Sequence, residues 1–248
     1  MQPLTSHVRY SVQILLPRAV RIESEVLHAR LCAWRGDIEL LSERLLFAIP
    51  TADLPLLVHI FPASLDAYAA SLCDALTWSP EWRWADLEGR CPASLVVALT
   101  AQRPINHASM LLSFLAVLDT VLFTLPDYDR EAAILHWIPA QQLLTFARYR
   151  ELRTELGPCG PAVNVRIANA TGRPGELLAD TVGMGELGLP DLQTVFKRAD
   201  PNDVMELMRA MVRTMFVGDP LQLPWVEETA LFPPQRDALT LKLEDSAR

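Results

Sequence analysis

Lysine is almost absent from this chain: only Lys197 and Lys242 stand among 22 basic residues, and the rest are arginine. Thirty acidic residues outweigh them and leave a formal charge of −8 over 248 residues. A protein so charged lacks the broad positive face that neutralises phosphate, so it is not a whole-surface nucleic-acid binder. A local basic patch stays open. Cysteine is scarce too, with Cys32, Cys73, Cys91 and Cys159 far apart and no pair at C-x-x-C spacing. That excludes a zinc knuckle and a thioredoxin-like motif. Cys32 and Cys73 fall in apolar helical patterns, where a small buried thiol is expected. Long apolar runs are missing from the first 20 residues, which Arg9, Pro17 and Arg18 interrupt. No signal peptide or membrane span is expected there, and a reducing cytoplasm is the expected setting.

What is present is a globular composition, 50% hydrophobic and 21% charged. Such a chain buries enough surface to offset its ordering entropy, which excludes dominant disorder. The length suits one large domain or two small ones. Along the chain, residues 12–16 read as a buried strand and 22–34 as a helix closed by Gly36-Asp37. Strands follow at 45–49 and 56–61, then a helix over 65–78 with Ser64 as N-cap. This order has split β-α-β, ferredoxin-like character. After the tryptophan-rich connector 79–84 the alternation resumes. A strand is predicted over 93–100 and a long apolar helix from His107 to about 123, capped by Asn106. A strand over 132–138 and an amphipathic helix over 141–152 come next. A hairpin, 163–168 with 177–182, a strand at 192–196, a methionine-rich helix over 202–217 and a last strand at 239–243 complete the pattern.

The expected class is therefore α+β, with two lobes of ferredoxin-like character and a duplicated unit as one reading of the repeated rhythm. The boundaries read as an N-terminal lobe over 1–84, a C-terminal lobe over 85–218 and a proline-rich extension over 219–248. No flexible linker separates the lobes, so they are expected to share one sheet or one packed interface.

Gly183-Met184-Gly185-Glu186-Leu187-Gly188 spells a literal G-x-G-x-x-G. A dinucleotide site needs that motif to open a helix within a β-α-β unit, so that amides face the pyrophosphate. Here Leu189-Pro190 follows at once, so the string reads as a turn that needs positive φ, and no cofactor is expected. His7, His28, His59, His107 and His136 form neither H-E-x-x-H nor H-x-H, so no metal site is expected. His107 at a helix start suits a neutral base or a first-turn polar residue. His136, within an apolar strand, faces either a cavity or solvent. There is no G-x-S-x-G elbow, S-x-x-K or P-loop, and Ser109 and Ser113 look structural. Asp127, Asp129, Glu227 and Glu228 read as solvated loop carboxylates. No catalytic residue is assigned.

Two concentrations point to recognition. Trp82, Arg83 and Trp84 belong to the side-chain classes that anchor interfaces, and they also suit an inter-lobe seam. Arg148, Tyr149 and Arg150 suit an anion or an acidic partner, or a solvated face paired with Glu151 and Glu155. These six residues are the candidate binding set.

The segments Ile134-Leu135-His136-Trp137-Ile138-Pro139, 163–167 and Asp180-Thr181-Val182-Gly183 through Leu189-Pro190-Asp191-Leu192 together resemble a bacterial family catalogued as domain of unknown function 4261. That family carries a similar T-x-G-x-x-x-x-G-L-P-acid string after a hairpin. Leu187 stands where Phe is common, and Asp191 where Glu is common. The resemblance implies a small cytoplasmic bacterial α+β protein and assigns it no reaction. Related families accompany toxin and secretion loci. The expected function is thus a non-enzymatic protein-binding protein, an immunity or adaptor protein that occludes a toxin or effector, with no nucleic acid or membrane as partner. The alternative is an enzyme with its site between the lobes, built from His107, His136 and the turn from Gly183 to Asp191.

Overall fold

The computed structural model describes residues 7–51, 54–101, 106–218 and 240–244. The chain divides into two compact units, 1–151 and 152–248. The first holds β1 (His7–Leu16), α1 (Ser24–Trp34), β2 (Glu39–Ser42), β3 (Leu46–Ile49), β4 (Leu56–Ala63), α2 (Ala69–Thr77) and α3 (Trp84–Arg90). It continues with β5 (Ala93–Ala101), α4 (His107–Thr124), α5 (Asp127–Ala132), β6 (Ile134–Trp137), β7 (Gln142–Thr145) and the start of α6 (Phe146–Glu155). Its seven strands lie in the order β2-β3-β4-β5-β1-β6-β7, and every pair is antiparallel. The α+β class is as expected.

The boundary expected at 84/85 is not where the chain divides. β5, from the expected second lobe, inserts between β4 and β1 of the expected first, and β6 adds to the other side of β1. The expectation of a shared sheet holds for these strands, and that shared ladder is why no break can fall at 84.

Side chains alternate across β1, so its two faces build two different layers. On one, Tyr10 stacks on Phe114 of α4 at 5.5 Å between ring centroids, and Phe114 meets Trp137 edge-on at 5.7 Å. On the other, Leu15 packs with Leu72 and Ala75 of α2, Leu87 of α3 and the strand residues Ile134 and Leu143. Helices on both faces explain why β1 reads as a nearly continuous apolar run. α4 has the length and hydropathy, a mean of 1.6 over 18 residues, to cross a membrane. Its buried residues, among them Met110, Phe114, Leu118 and Val121, are core residues here.

The second unit contains β8 (Asn164–Asn169), β9 (Leu177–Val182), β10 (Asp191–Phe196), α7 (Pro201–Val217) and β11 (Thr240–Glu244), with an antiparallel sheet ordered β11-β10-β9-β8. α7 packs on β8 and β9 through its apolar stripe, which includes Val204, Met208 and Val212. Ser64 accepts from the Ala67 N–H at 3.3 Å ahead of a 3-10 turn over Asp66–Tyr68, and α2 itself begins only at Ala69, so Ser64 is not its cap. Two other helix starts are capped by their side chains. Asn106 accepts from the Ser109 N–H at 3.1 Å, and Asp200 accepts from the Asn202 N–H at 2.8 Å.

Three local expectations need correction. Residues 142–145 are strand β7 rather than the first turn of a helix, because they pair with β6. Asp127 and Asp129 lie on helix α5 instead of a loop, and Asp129 is fully buried against Arg18, which donates from Nη2 at 2.8 Å. Cys73 is exposed rather than buried. Cys91 and Cys159 are the buried thiols, and burial pushes Cys159 up to about 11, so it stays protonated. Glu227 and Glu228 lie outside the described residues.

Candidate functional site

His136 sits directly opposite Gln13 in the β1–β6 ladder, on the face covered by α2. It is wholly buried, yet both ring nitrogens have partners. Nδ1 lies 3.2 Å from Gln13 Oε1, and Nε2 lies 3.2 Å from Ser71 Oγ on α2. Gln13 in turn donates from Nε2 to Ser94 Oγ at 3.0 Å, while the Ser94 hydroxyl donates to the Ala63 carbonyl at 2.7 Å. The chain of bonds has a direction. Ser94 spends its proton on Ala63 and must accept from Gln13; the amide oxygen of Gln13 then faces Nδ1. Nδ1 therefore carries the ring proton, and Nε2 presents its lone pair to Ser71. Burial lowers the His136 pKa to about 4, partly offset by the Ser71 main chain, so the imidazole is neutral at pH 7. Ser94 also lines an open recess of about 380 Å³ at the end of the sheet, with Leu16, Val20, Pro62 and Ser64.

This placement separates two members of the enzyme site drawn from the sequence. His107 starts α4, and its carbonyl accepts from the Tyr10 hydroxyl at 3.3 Å. Tyr10 and Trp137 point to the α4 face of the sheet; Gln13 and His136 point to the other. His107 and His136 are thus on opposite sides of one sheet and share no cleft.

The turn from Gly183 to Asp191 belongs to the second unit. Gly183 and Gly188 both take positive φ, 107° and 70°, and flank a short 3-10 turn over Met184–Leu187. It joins antiparallel strands and opens no helix, so the glycines serve the turn, as their context suggested. Asp191 ties it down: its Oδ1 accepts from the Thr181 hydroxyl at 3.1 Å and from the Met184 N–H at 3.3 Å. Burial raises the Asp191 pKa, and those two donors oppose the rise.

The candidate binding residues separate. Trp82 and Trp84 are partly buried against the α2–α3 core, and the Arg90 guanidinium lies 5.2 Å from the Trp82 ring centroid. Arg83 is exposed and pairs with Asp86 at 2.8 Å. Arg148 pairs with Glu151 at 2.9 Å, as a solvated face would. Tyr149 is not a surface contact: it is 2% exposed, and its hydroxyl donates to Asp119 at 2.6 Å. α6 turns one residue of this run inward and leaves its neighbours outside. Arg150 remains exposed, 5.8 Å from the Phe146 ring centroid.

Arg150 leads to a surface the sequence does not announce. Phe123, near the end of α4, is 52% exposed. Its ring meets buried Phe146 edge-on at 6.2 Å. The Arg130 guanidinium lies 4.9 Å from its centroid and 5.7 Å from that of Phe146. Arg30 donates to the Phe123 carbonyl at 2.7 Å. The protruding Phe123 ring is thus backed by Arg130 of α5, with Arg30 of α1 on its main-chain carbonyl and Arg150 of α6 against the neighbouring Phe146 ring.

No family model, curated protein or solved structure matches this chain.

Proposed function

We propose that this chain acts by binding another protein, in the manner of an immunity or adaptor protein that covers a toxin or effector. The observation that carries this reading is the half-exposed Phe123 ring, backed by Phe146 and the Arg130 guanidinium, with Arg30 on its carbonyl and Arg150 on the Phe146 ring next to it. Aromatic and arginine side chains supply most interface hot spots, and one already held in place loses little entropy on binding. A charge of −8 would speed encounter with a basic partner, while the arginines around Phe123 would meet that partner's acidic or carbonyl groups at closest approach. The resemblance of 132–192 to the uncharacterised bacterial family, and with it a cytoplasmic setting, belongs to the same proposal. Trp82 and Trp84, already packed on the α2–α3 core, are not part of this proposed surface.

The test is affinity capture from the native host with the intact chain and with Phe123→Ala and Arg150→Glu variants. A stoichiometric partner held by the intact chain and lost from both folded variants supports the reading. If that partner is toxic and co-expression neutralises it, the role is immunity. A partner captured equally by all three chains removes this surface.

A further inference from the structure

We propose that Ser71 is an activated nucleophile, with His136 as its general base and Gln13 as the residue that positions the ring, able to take an acyl or phosphonyl group from an activated ester. The proposal rests on the direction of the hydrogen-bond chain. Ala63, Ser94 and Gln13 together fix the proton on Nδ1 of His136 and leave the Nε2 lone pair 3.2 Å from Ser71 Oγ. Nucleophile, base and orienting group are thus linked in sequence, which is the geometric signature of serine activation. Ser71 lies in the first turn of α2, where the helix dipole favours developing negative charge. It is only half-buried, whereas the base behind it is sealed from water.

The step balances without any further reagent. Ser71 Oγ bonds to the electrophilic carbon or phosphorus as its proton passes to His136 Nε2. The bond to the leaving group breaks, and that group departs with the proton. Gln13 is neutral, so it orients the ring without stabilising the imidazolium as a carboxylate would. The base therefore titrates far below the usual range, near pH 4. Reactivity should consequently be flat from pH 6 to 9 and fall only as the pH approaches 4.

A reporter-tagged fluorophosphonate on the full chain is the direct probe, read by intact mass and peptide mapping. The expected result is one label on Ser71, absent from Ser71→Ala and slowed about 100-fold in His136→Gln. Gln13→Glu should accelerate labelling and move the lower pH limit upward, which a merely structural network would not do. Nitrogen-15 NMR of the unmodified protein gives an answer independent of any variant's folding, with the proton expected on Nδ1. Failure of the native protein to label, labelling that survives Ser71→Ala, or a ring proton on Nε2 would each overturn the proposal. The residues involved share none with the Phe123 surface, so either proposal can fail alone.

Discussion

The two faces of the seven-stranded sheet are built from the same strands and hold together differently. On the α4 side, Tyr10, Phe114 and Trp137 interlock ring on ring. On the α2 side, beside the apolar cluster of Leu15, Leu72 and Ala75, the rung next to Val12 and Trp137 is Gln13 and His136, and a chain of hydrogen bonds runs through it. An apolar face tolerates small rearrangements because dispersion has no direction. A buried polar chain is all or nothing, since each unpaired member costs a full desolvation.

The largest effect is expected on the aromatic face. Phe114→Ala removes the ring between Tyr10 and Trp137 and should cost about 3–5 kcal/mol in chemical denaturation. In the polar chain set into the α2 side, His136→Leu keeps the volume but strands Gln13 and Ser71, for a loss of about 2–3 kcal/mol. A His136→Leu protein as stable as the original would show that the polar chain is incidental.

Acid sharpens the contrast. The His136 pKa is about 4 in the folded chain against an ordinary 6.5, so the unfolded state binds the proton first. Stability should be full above pH 6.5, fall between 6.5 and about 4, and level off below, by on the order of 3 kcal/mol in all. His136→Leu should flatten that slope, which denaturation at pH 7 and pH 4.5 would read. In the second unit Asp191 works the other way. Its raised pKa lets the folded state keep a proton longer, so its contribution weakens as pH rises through the carboxylate range. Asp191→Asn keeps the acceptor for Thr181 and Met184 and should remove that opposite trend at little cost.

The smaller effects test what was legible locally. Asp200→Ala removes the cap of α7 and should lower stability by about 1 kcal/mol, seen as a shifted denaturation midpoint. Arg148→Ala breaks an exposed pair with Glu151 and should change it by less than about 0.5 kcal/mol.

Caps, hairpin and long helices could be read from the sequence because their signals lie within a few residues: Asn106 before the α4 stripe, Asp200-Pro201 before α7, glycine at the 183–188 turn. The short pieces could not. α3 and α5 are shorter than two full turns, and residues 142–145 become strand only because β6 lies beside them. The domain boundary failed for a related reason, since insertion of β5 between β4 and β1 is a tertiary fact. At the candidate sites, a polar residue within each apolar run, Gln13 and His136, was visible, but their pairing spans 123 positions. Ser71 and Phe123 gave no local signal, because one is a serine on a helix and the other a phenylalanine at the end of an apolar helix.

The most direct test of function is quantitative binding of the captured partner to the intact chain and to Phe123→Ala. Loss of at least about 2 kcal/mol of affinity, some thirtyfold, is expected if the ring is a hot spot. Unchanged affinity in a folded variant would contradict it.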